Sequence, residues 1–353
     1  MKNLHIQNMD KFIEPYINFI NKYFNPDSHL FAVITSNKDK VFKSRHKNIH
    51  YIYKSFSSLL VLINFMYKAE RIFLHGLFNS KIIFLLFLQP WLLKKCYWIV
   101  WGGDLYKYRE SKVTFKQKGG EFVRRFVIKN MSELLPIVEG DFKLAQRWYN
   151  TKARYRYNAV YVNNLEVINL VDFNTSKENN DDEIKLLIGN SATESNNHEE
   201  IFDKLSKFKE KHIRLFVPLS YGDEAYADKV ISKGEEIFGE KLVPLTKFMN
   251  KTDYIKFLNT MDAGIFNNDR QQAMGNIYLL LYLGKKIFVK EGTTMWEELN
   301  KKYYVSSVRQ LDDIDLNWLN ELDEKKQSHN IEKASSRYNV EKAKAAWKKI
   351  FED

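Results

Sequence analysis

Cysteine is nearly missing: Cys96 is the single one in 353 residues, so no internal disulfide can form. Burial and hydrogen bonding must hold the chain, as suits a reducing compartment. Long apolar runs are missing too. The longest covers residues 82–88, and Gln89-Pro90 interrupts its extension. A membrane span needs about 20 apolar residues, so a transmembrane helix is not expected, while attachment to a membrane surface stays open. The opening MKNLHIQNMDKF lacks the apolar core of a secretory signal. Metal-ligand patterns are poor. Asp313-Ile314-Asp315 has the form D-x-D but follows no predicted core strand, and it reads as solvated charge ahead of a helix. His46 and His50 lie on a segment read as strand, with no third ligand nearby. Neither metal nor cofactor is expected. There is no Walker A loop, no G-x-G-x-x-G and no G-x-S-x-G. No nucleic-acid motif occurs, so nucleic acid is not an expected partner. No repeat of solenoid length is evident.

What is present is a basic, aromatic, α/β-patterned chain. Fifty-five Lys and Arg against 44 Asp and Glu give a net charge of +11, and aromatics make up 15% of the residues. Such charge suits phosphorylated ligands, an anionic membrane face or RNA, and composition does not separate them. At about 100–200 residues per domain the length predicts two domains.

The pattern of short apolar runs alternating with helical periodicity supports this. In the first half, strands are predicted near residues 4–6, 29–35, 47–52, 71–74, 96–101, 134–138 and 154–162. Helices are predicted near 11–23, 57–67, 80–95 (broken near Pro90), 112–129 and 139–150. The run NTSKENNDD, residues 174–182, is free of apolar side chains and reads as a linker. The alternation then restarts, with strands near 184–188, 213–217, 241–245, 263–266 and 285–289. A helix over 331–351 closes the chain. Two parallel, helix-covered sheets follow, divided as an N-terminal domain 1–173, the linker 174–182, a C-terminal domain 183–330, and a terminal segment 331–353 packing back on the first domain.

Candidate chemistry collects at strand ends. Gly189-Asn190-Ser191 follows a strand and precedes a helix, where backbone N–H groups can approach an anion; a plain Ser/Asn-capped helix start is the other reading. The stretch 262–289 places Asn267, Asn268, Arg270, Gln271 and Gln272 after an apolar strand, with Gly275-Asn276 leading the next helix. Arg270 can pair bidentately with phosphate or serve in a surface salt bridge. His75 closes one strand and reads as a general base, a hydrogen-bond donor or a structural histidine. Asp104, after Gly102-Gly103, reads as a base or orienting group for a hydroxyl, or as a turn aspartate. Residues 112–129 interleave Lys112, Lys116, Lys118, Arg124 and Arg125 with Phe115, Phe122 and Phe126. That pattern suits an anionic bilayer surface, or a solvated helix packed on the sheet.

Taken in order, these blocks resemble one family. They are His75-Gly76-Leu77-Phe78-Asn79, Trp101-Gly102-Gly103-Asp104-Leu105-Tyr106, Glu139-Gly140-Asp141, Ile188-Gly189-Asn190-Ser191, Asn196-Asn197-His198, Val217-Pro218 through Glu224-Ala225-Tyr226, and Arg270-Gln271-Gln272 with Gly275. The family is the TDP-N-acetylfucosamine:lipid II N-acetylfucosaminyltransferases, which transfer 4-acetamido-4,6-dideoxygalactose. The resemblance implies a GT-B glycosyltransferase, with two Rossmann-like domains facing across a cleft and no metal requirement. It implies a nucleotide diphosphate sugar donor, possibly TDP-linked, held by Gly189, Asn190, Ser191, Asn267, Asn268, Arg270, Gln271, Gly275 and Asn276. The implied acceptor is a polyprenyl-diphosphate-linked saccharide of bacterial surface polysaccharide synthesis. His75 and Asp104 would then be catalytic, and Asn79, Gly102, Gly103, Glu139 and Asp141 would face the acceptor. The implied location is peripheral, on the cytoplasmic face of the inner membrane, with Lys112, Lys116, Lys118, Arg124 and Arg125 toward the anionic surface. A non-catalytic sugar-nucleotide-binding or membrane-associated assembly protein on the same fold is the competing reading. An RNA-binding protein is a second rival.

Overall fold

The structure, a computed structural model, describes residues 1–10, 12–37, 41–109, 114–157 and 183–352. The predicted linker 174–182, the predicted strand beyond residue 157 and Lys112 lie outside the described residues. Two units divide the chain: Met1–Asn163 with Val340–Asp353, and Asn164–Asn339.

The first unit is built on seven strands: β1 (Asn3–Asn8), β2 (His29–Ile34), β3 (Ile49–Ile52), β4 (Arg71–His75), β5 (Cys96–Val100), β6 (Glu133–Pro136) and β7 (Arg154–Tyr155). Their order is β3-β2-β1-β4-β5-β6-β7, with every pair parallel. The second unit has β8 (Ile184–Ile188), β9 (Ile213–Pro218), β10 (Leu242–Leu245), β11 (Ala263–Phe266), β12 (Lys286–Val289) and β13 (Ser306–Ser307), ordered β10-β9-β8-β11-β12-β13 and again parallel. Strands such as CYWIV in β5 and AGIF in β11 are buried throughout, because helices cover both faces. In both sheets the chain builds outward from its first strand and then returns beside it. The order therefore reverses between β1 and β4 and between β8 and β11, the position where open α/β sheets leave a crevice at their carboxyl edge.

The closing segment differs from the single helix expected over 331–351. It is two helices, Glu324–Ser335 and Val340–Glu352, separated by a tight turn Ser336–Tyr338. The Ser335 and Ser336 hydroxyls donate back to the Glu332 and Lys333 carbonyls at 2.6 and 2.8 Å, and Asn339 is extended. Serines competing for helix carbonyls weaken the helix at that point. Gln327 of the first helix donates to the Gly284 carbonyl at 2.9 Å, which holds this helix on the second unit. The other packs Trp347 and Phe351 against Tyr16, Phe24, His29 and Phe73 of the first unit.

Beneath Phe351 runs a buried line of imidazoles. His75 Nε2 is 3.2 Å from His5 Nδ1, and His5 Nε2 is 3.1 Å from His29 Nδ1. Burial holds all three neutral: it lowers His5 strongly, His29 to about 4 and His75 to about 3. In the unfolded chain each takes up a proton near pH 6.5. Their contribution to stability is therefore complete above that pH and is lost as pH falls toward 4 and 3. Urea unfolding should show the free energy dropping below pH 6.5, each histidine adding a slope of up to about 1.4 kcal/mol per pH unit. His29→Gln should flatten the slope, and an equal slope in variant and wild type would refute the assignment.

Candidate active site

At the reversal between β8 and β11, two loops separated by some seventy residues of chain interlock (Asn197 and Asn267 are the nearest markers). Gln272 bridges them. Its Nε2 lies 3.0 Å from Asn190 Oδ1, 3.1 Å from Ser191 Oγ and 3.0 Å from Thr193 Oγ1, while its Oε1 accepts from Ser195 Oγ at 2.8 Å. Asn196 braces the first loop from below. Its Nδ2 donates to the Ser191 carbonyl at 3.1 Å and to Thr193 Oγ1 at 2.7 Å, and its Oδ1 accepts from Asn190 N–H and Asn268 Nδ2 at 3.1 and 2.9 Å. Asn197 Nδ2 reaches the Asn267 carbonyl at 2.9 Å, and Asn267 Nδ2 reaches Glu200 at 2.8 Å. Gly189 allows this packing. It has a φ of +67°, and a Cβ there would stand 2.6 Å from His198 Nε2 and 2.9 Å from Asn196 Oδ1. His198 is itself held by Tyr226 at 3.2 Å and pushed down to about 4 by burial.

The rim of this crown suits an anion. Helix Met274–Tyr282 starts after the left-handed Ala273 without a side-chain cap. Gly275, in its first turn, is exposed, and a Cβ built on it meets nothing within 4 Å. Backbone N–H groups of a first helical turn attract negative charge. Arg270 lies half-buried on the same loop. Asn276 Nδ2 donates to Tyr254 and Asn190 Nδ2 to Tyr221, at 2.9 and 2.8 Å. Burial raises both phenols, so both stay protonated at neutral pH. Three buried amide oxygens, Asn267 Oδ1, Asn268 Oδ1 and Gln271 Oε1, have no partner among the described residues. A diphosphate only accepts hydrogen bonds and cannot satisfy them; water or a sugar hydroxyl can.

At the reversal between β1 and β4 the first unit has a shallow depression lined by Gln7, Asn8, Gly76, Leu77 and Asn79. Gln7 is 2% exposed, and neither polar atom of its amide has a partner among the described residues. Behind it the loops after β4 and β5 are tied together. Asp104 Oδ2 accepts from Leu77 N–H at 2.9 Å and from the Trp98 indole at 2.7 Å, and Oδ1 accepts from Trp101 and Leu105 N–H, each at 3.0 Å. Arg124 donates to the Leu77 carbonyl at 2.8 Å and also to the Asp104 carbonyl. No group of three or more His, Cys, Asp or Glu able to hold a metal occurs among the described residues.

The family described as 4-alpha-L-fucosyltransferase, glycosyl transferase group 56, matches residues 5–353. The chain belongs to that family. It is a glycosyltransferase, and solved structures show the same GT-B fold. HepE of Anabaena in complex with UDP has a TM-score of 0.71 at 10% identity, covering 99% of both chains. A glycosyltransferase from Rickettsia africae has a TM-score of 0.66 at 14% identity, covering 99% of this chain and 98% of that one. The E. coli trehalose-6-phosphate protein bound with UDP-2-fluoro glucose has a TM-score of 0.62 at 10% identity, covering 99% of both chains.

Within this glycosyltransferase the site residues expected from sequence separate into three groups. Gly189, Asn190, Ser191, Asn267, Asn268, Arg270, Gln271, Gly275 and Asn276 all stand at the carboxyl edge of the second sheet. On the first unit, Gly102, Gly103 and Asn79 stand at the corresponding edge, where Asn79 caps helix Ser80–Leu88 by accepting from Lys81 N–H at 3.0 Å. A third group needs correction. Asp104 is fully buried with four N–H donors on its carboxyl, so it anchors the loop and has no lone pair directed at a substrate. His75 is 4% exposed, and its Nε2 is committed to the imidazole line, which suits a structural role rather than that of a base. Glu139 and Asp141 need no correction: Glu139 is exposed and pairs with Lys143 at 3.2 Å, Asp141 is buried in the same helix turn, and their acceptor-side role stays a proposal. Arg124 is buried and cannot face a membrane; Arg125 is partly exposed, donates to the Trp148 carbonyl at 2.6 Å and stacks on Tyr108, and Lys116 and Lys118 are exposed. Sequence reasoning quoted Gln272, Asn196 and Tyr221 within its motifs without giving them a role, and it passed over Tyr254 and Gln7. The only signal for Gln7 was its place at the end of the first strand.

If Asp104 is an anchor, Asp104→Asn turns an amide N–H toward a backbone or indole N–H and should cost about 3 kcal/mol of stability. Thermal unfolding should show the loss. Unchanged stability with abolished turnover would restore a catalytic role.

Proposed function

We propose that the protein transfers a deoxyhexose, in the reading from sequence an acetamido-dideoxy hexose, from a nucleotide diphosphate donor to a polyprenyl-diphosphate-linked saccharide. The observation that carries this is the crown at the β8/β11 reversal. It joins an uncapped helix start, an open glycine and an arginine to a cluster of amides and hydroxyls, so a diphosphate and a sugar each find suitable partners. The complexes of HepE with UDP and UDP-glucose and of the E. coli protein with UDP-2-fluoro glucose support the same ligand class here. In the reaction an acceptor hydroxyl oxygen attacks the anomeric carbon as the bond from that carbon to the diphosphate oxygen breaks. The electron pair leaves with the nucleoside diphosphate, and the hydroxyl proton passes to the departing diphosphate oxygen, directly or through water.

Arg270 and the Gly275 amide region stabilise the departing charge. Asn267, Asn268 and Gln271 serve the hydroxyl and amide groups of the sugar, a role their unpartnered oxygens favour over diphosphate binding. Gln272 holds the two loops in register. The first unit, with Gln7, Asn79 and the Gly102-Gly103 turn, receives the acceptor at the cytoplasmic membrane face.

Steady release of nucleoside diphosphate that depends on a lipid-linked acceptor tests the reading; donor binding without turnover on any acceptor pool would leave a sugar-nucleotide-binding protein instead. At about 2 kcal/mol for a charge-assisted hydrogen bond, Arg270→Ala should weaken donor binding roughly 30-fold with the fold retained. Gly275→Val should do the same by filling the space above the helix start. Calorimetric titration of both variants checks this, and wild-type affinity in folded variants would remove these residues from the site.

A further inference from the structure

We propose that one face of the first unit docks on an anionic lipid bilayer through an aromatic ridge that spans three helices. The inference rests on the reading above, in which the acceptor is lipid-linked, and adds the surface that meets the lipid. The ridge is formed by helices Phe56–Lys68, Ser80–Leu88 and Phe115–Asn130 with the turn Pro90–Lys95. Its outward side chains are large and apolar: Phe115 is 92% exposed, Phe56 75%, Phe122 64% and Phe84 53%, with Trp91 and Leu88 similarly bare.

These residues form one surface. The Trp91 indole donates to the Tyr67 hydroxyl at 3.1 Å, which joins the turn to the first helix. Phe87 lies 6.4 Å from Phe84, 6.2 Å from Phe122 and 5.2 Å from Phe126, which joins the second helix to the third.

Two observations select a bilayer over water or a protein partner. First, helix Ser80–Leu88 has no polar side chain after Lys81, so Phe84 and Leu88 occupy the side that a surface helix normally gives to charge. That side offers no hydrogen bond, and a bilayer requires none. Second, exposed charge on the described residues of these elements is basic, with exposed Glu70 just past the first helix as the nearest acid. Lys68, Lys81, Lys94, Lys116 and Lys118 are exposed around the ridge. Of the acidic residues in these elements, Glu121 is partly buried and pairs with Arg125 at 3.7 Å. Apolar side chains ringed by lysine bind where headgroups meet acyl chains, and lysines near the surface add attraction to anionic lipid. Phe78 is also exposed, on the loop after β4 between Leu77 and Asn79, which line the depression at the sheet edge that carries Gln7. A saccharide on a lipid carrier is thereby presented at that edge.

The test is sedimentation of the full chain with vesicles of phosphatidylglycerol and phosphatidylcholine, and with phosphatidylcholine alone, with neither donor nor acceptor present. Wild type should bind the anionic vesicles, less so as salt rises, and bind the neutral ones weakly. The triple variant Phe84→Ser, Phe115→Ser, Phe122→Ser should lose at least about 100-fold in partitioning. Its donor-induced thermal shift and its turnover on detergent-dispersed acceptor should stay at wild-type level. Lys116→Gln with Lys118→Gln, exposed changes that spare the fold, should lose about fivefold per lysine and gives a second reading should the triple variant fail to fold. Failure of wild type to bind anionic vesicles, or equal binding by both variants, overturns the inference. So does light scattering that shows a dimer made monomeric by the serine changes, since a second copy would then cover the ridge. Vesicle binding without any release of nucleoside diphosphate would instead defeat the proposed activity and leave the docking face standing.

Discussion

Everything functional in this glycosyltransferase depends on the reversal of strand order within each parallel sheet. Where successive connections cross to opposite faces of a sheet, the carboxyl ends of the two strands at the reversal are left uncovered. Backbone and side-chain polar groups there cannot be satisfied by the sheet ladder, and side chains from the flanking loops must satisfy them. In the second unit Gln272 and Asn196 do so across the gap between β8 and β11. The result is a pre-formed crown, rigid in its amides and open at the Gly275 helix start.

The first unit meets the same constraint with a charged pair. Asp104 collects four N–H groups from the loops after β4 and β5, and Arg124 holds the Leu77 and Asp104 carbonyls behind them. The Asp104 carboxyl and both terminal nitrogens of Arg124 have hydrogen-bond partners, the condition under which burial of such groups is tolerated, while Arg124 Nε has none among the described residues. Acid and guanidinium there serve loop geometry, so what they offer the reaction is a fixed position for Gly76 to Asn79 and for Gly102-Gly103. The line of imidazoles under Phe351 is a second buried polar device in this unit, and it ties the final helix to the first two strands.

Division of labour follows from these two solutions. The amide crown with its arginine suits a nucleotide sugar. The first unit has an apolar ridge rimmed by lysines and, at its sheet edge, the unsatisfied amide of Gln7. An acceptor whose one end is lipid and whose other end is saccharide carries both kinds of chemistry.

The sequence alone determined the alternation, the two halves and the blocks at strand ends, because apolar periodicity and glycine placement are local properties. It also identified the amide and glycine cluster of 267–276, since that cluster is contiguous. Only the tertiary structure decided what each polar residue does. Asp104 read as a base or orienting group for a hydroxyl and Arg124 as a membrane-facing cation until folding brought the helix that carries Arg124 against the buried turn that carries Asp104, twenty residues away in sequence. Nothing in the sequence singled out the aromatic positions on helices 56–68 and 80–88, for hydropathy does not say which apolar side of a helix lacks a neighbour. Gln7 carried no motif, and its place beside Gly76 and Asn79 exists only because the fourth strand pairs with the first. Burial and partnership are set by residues distant in the chain, and no local pattern encodes them.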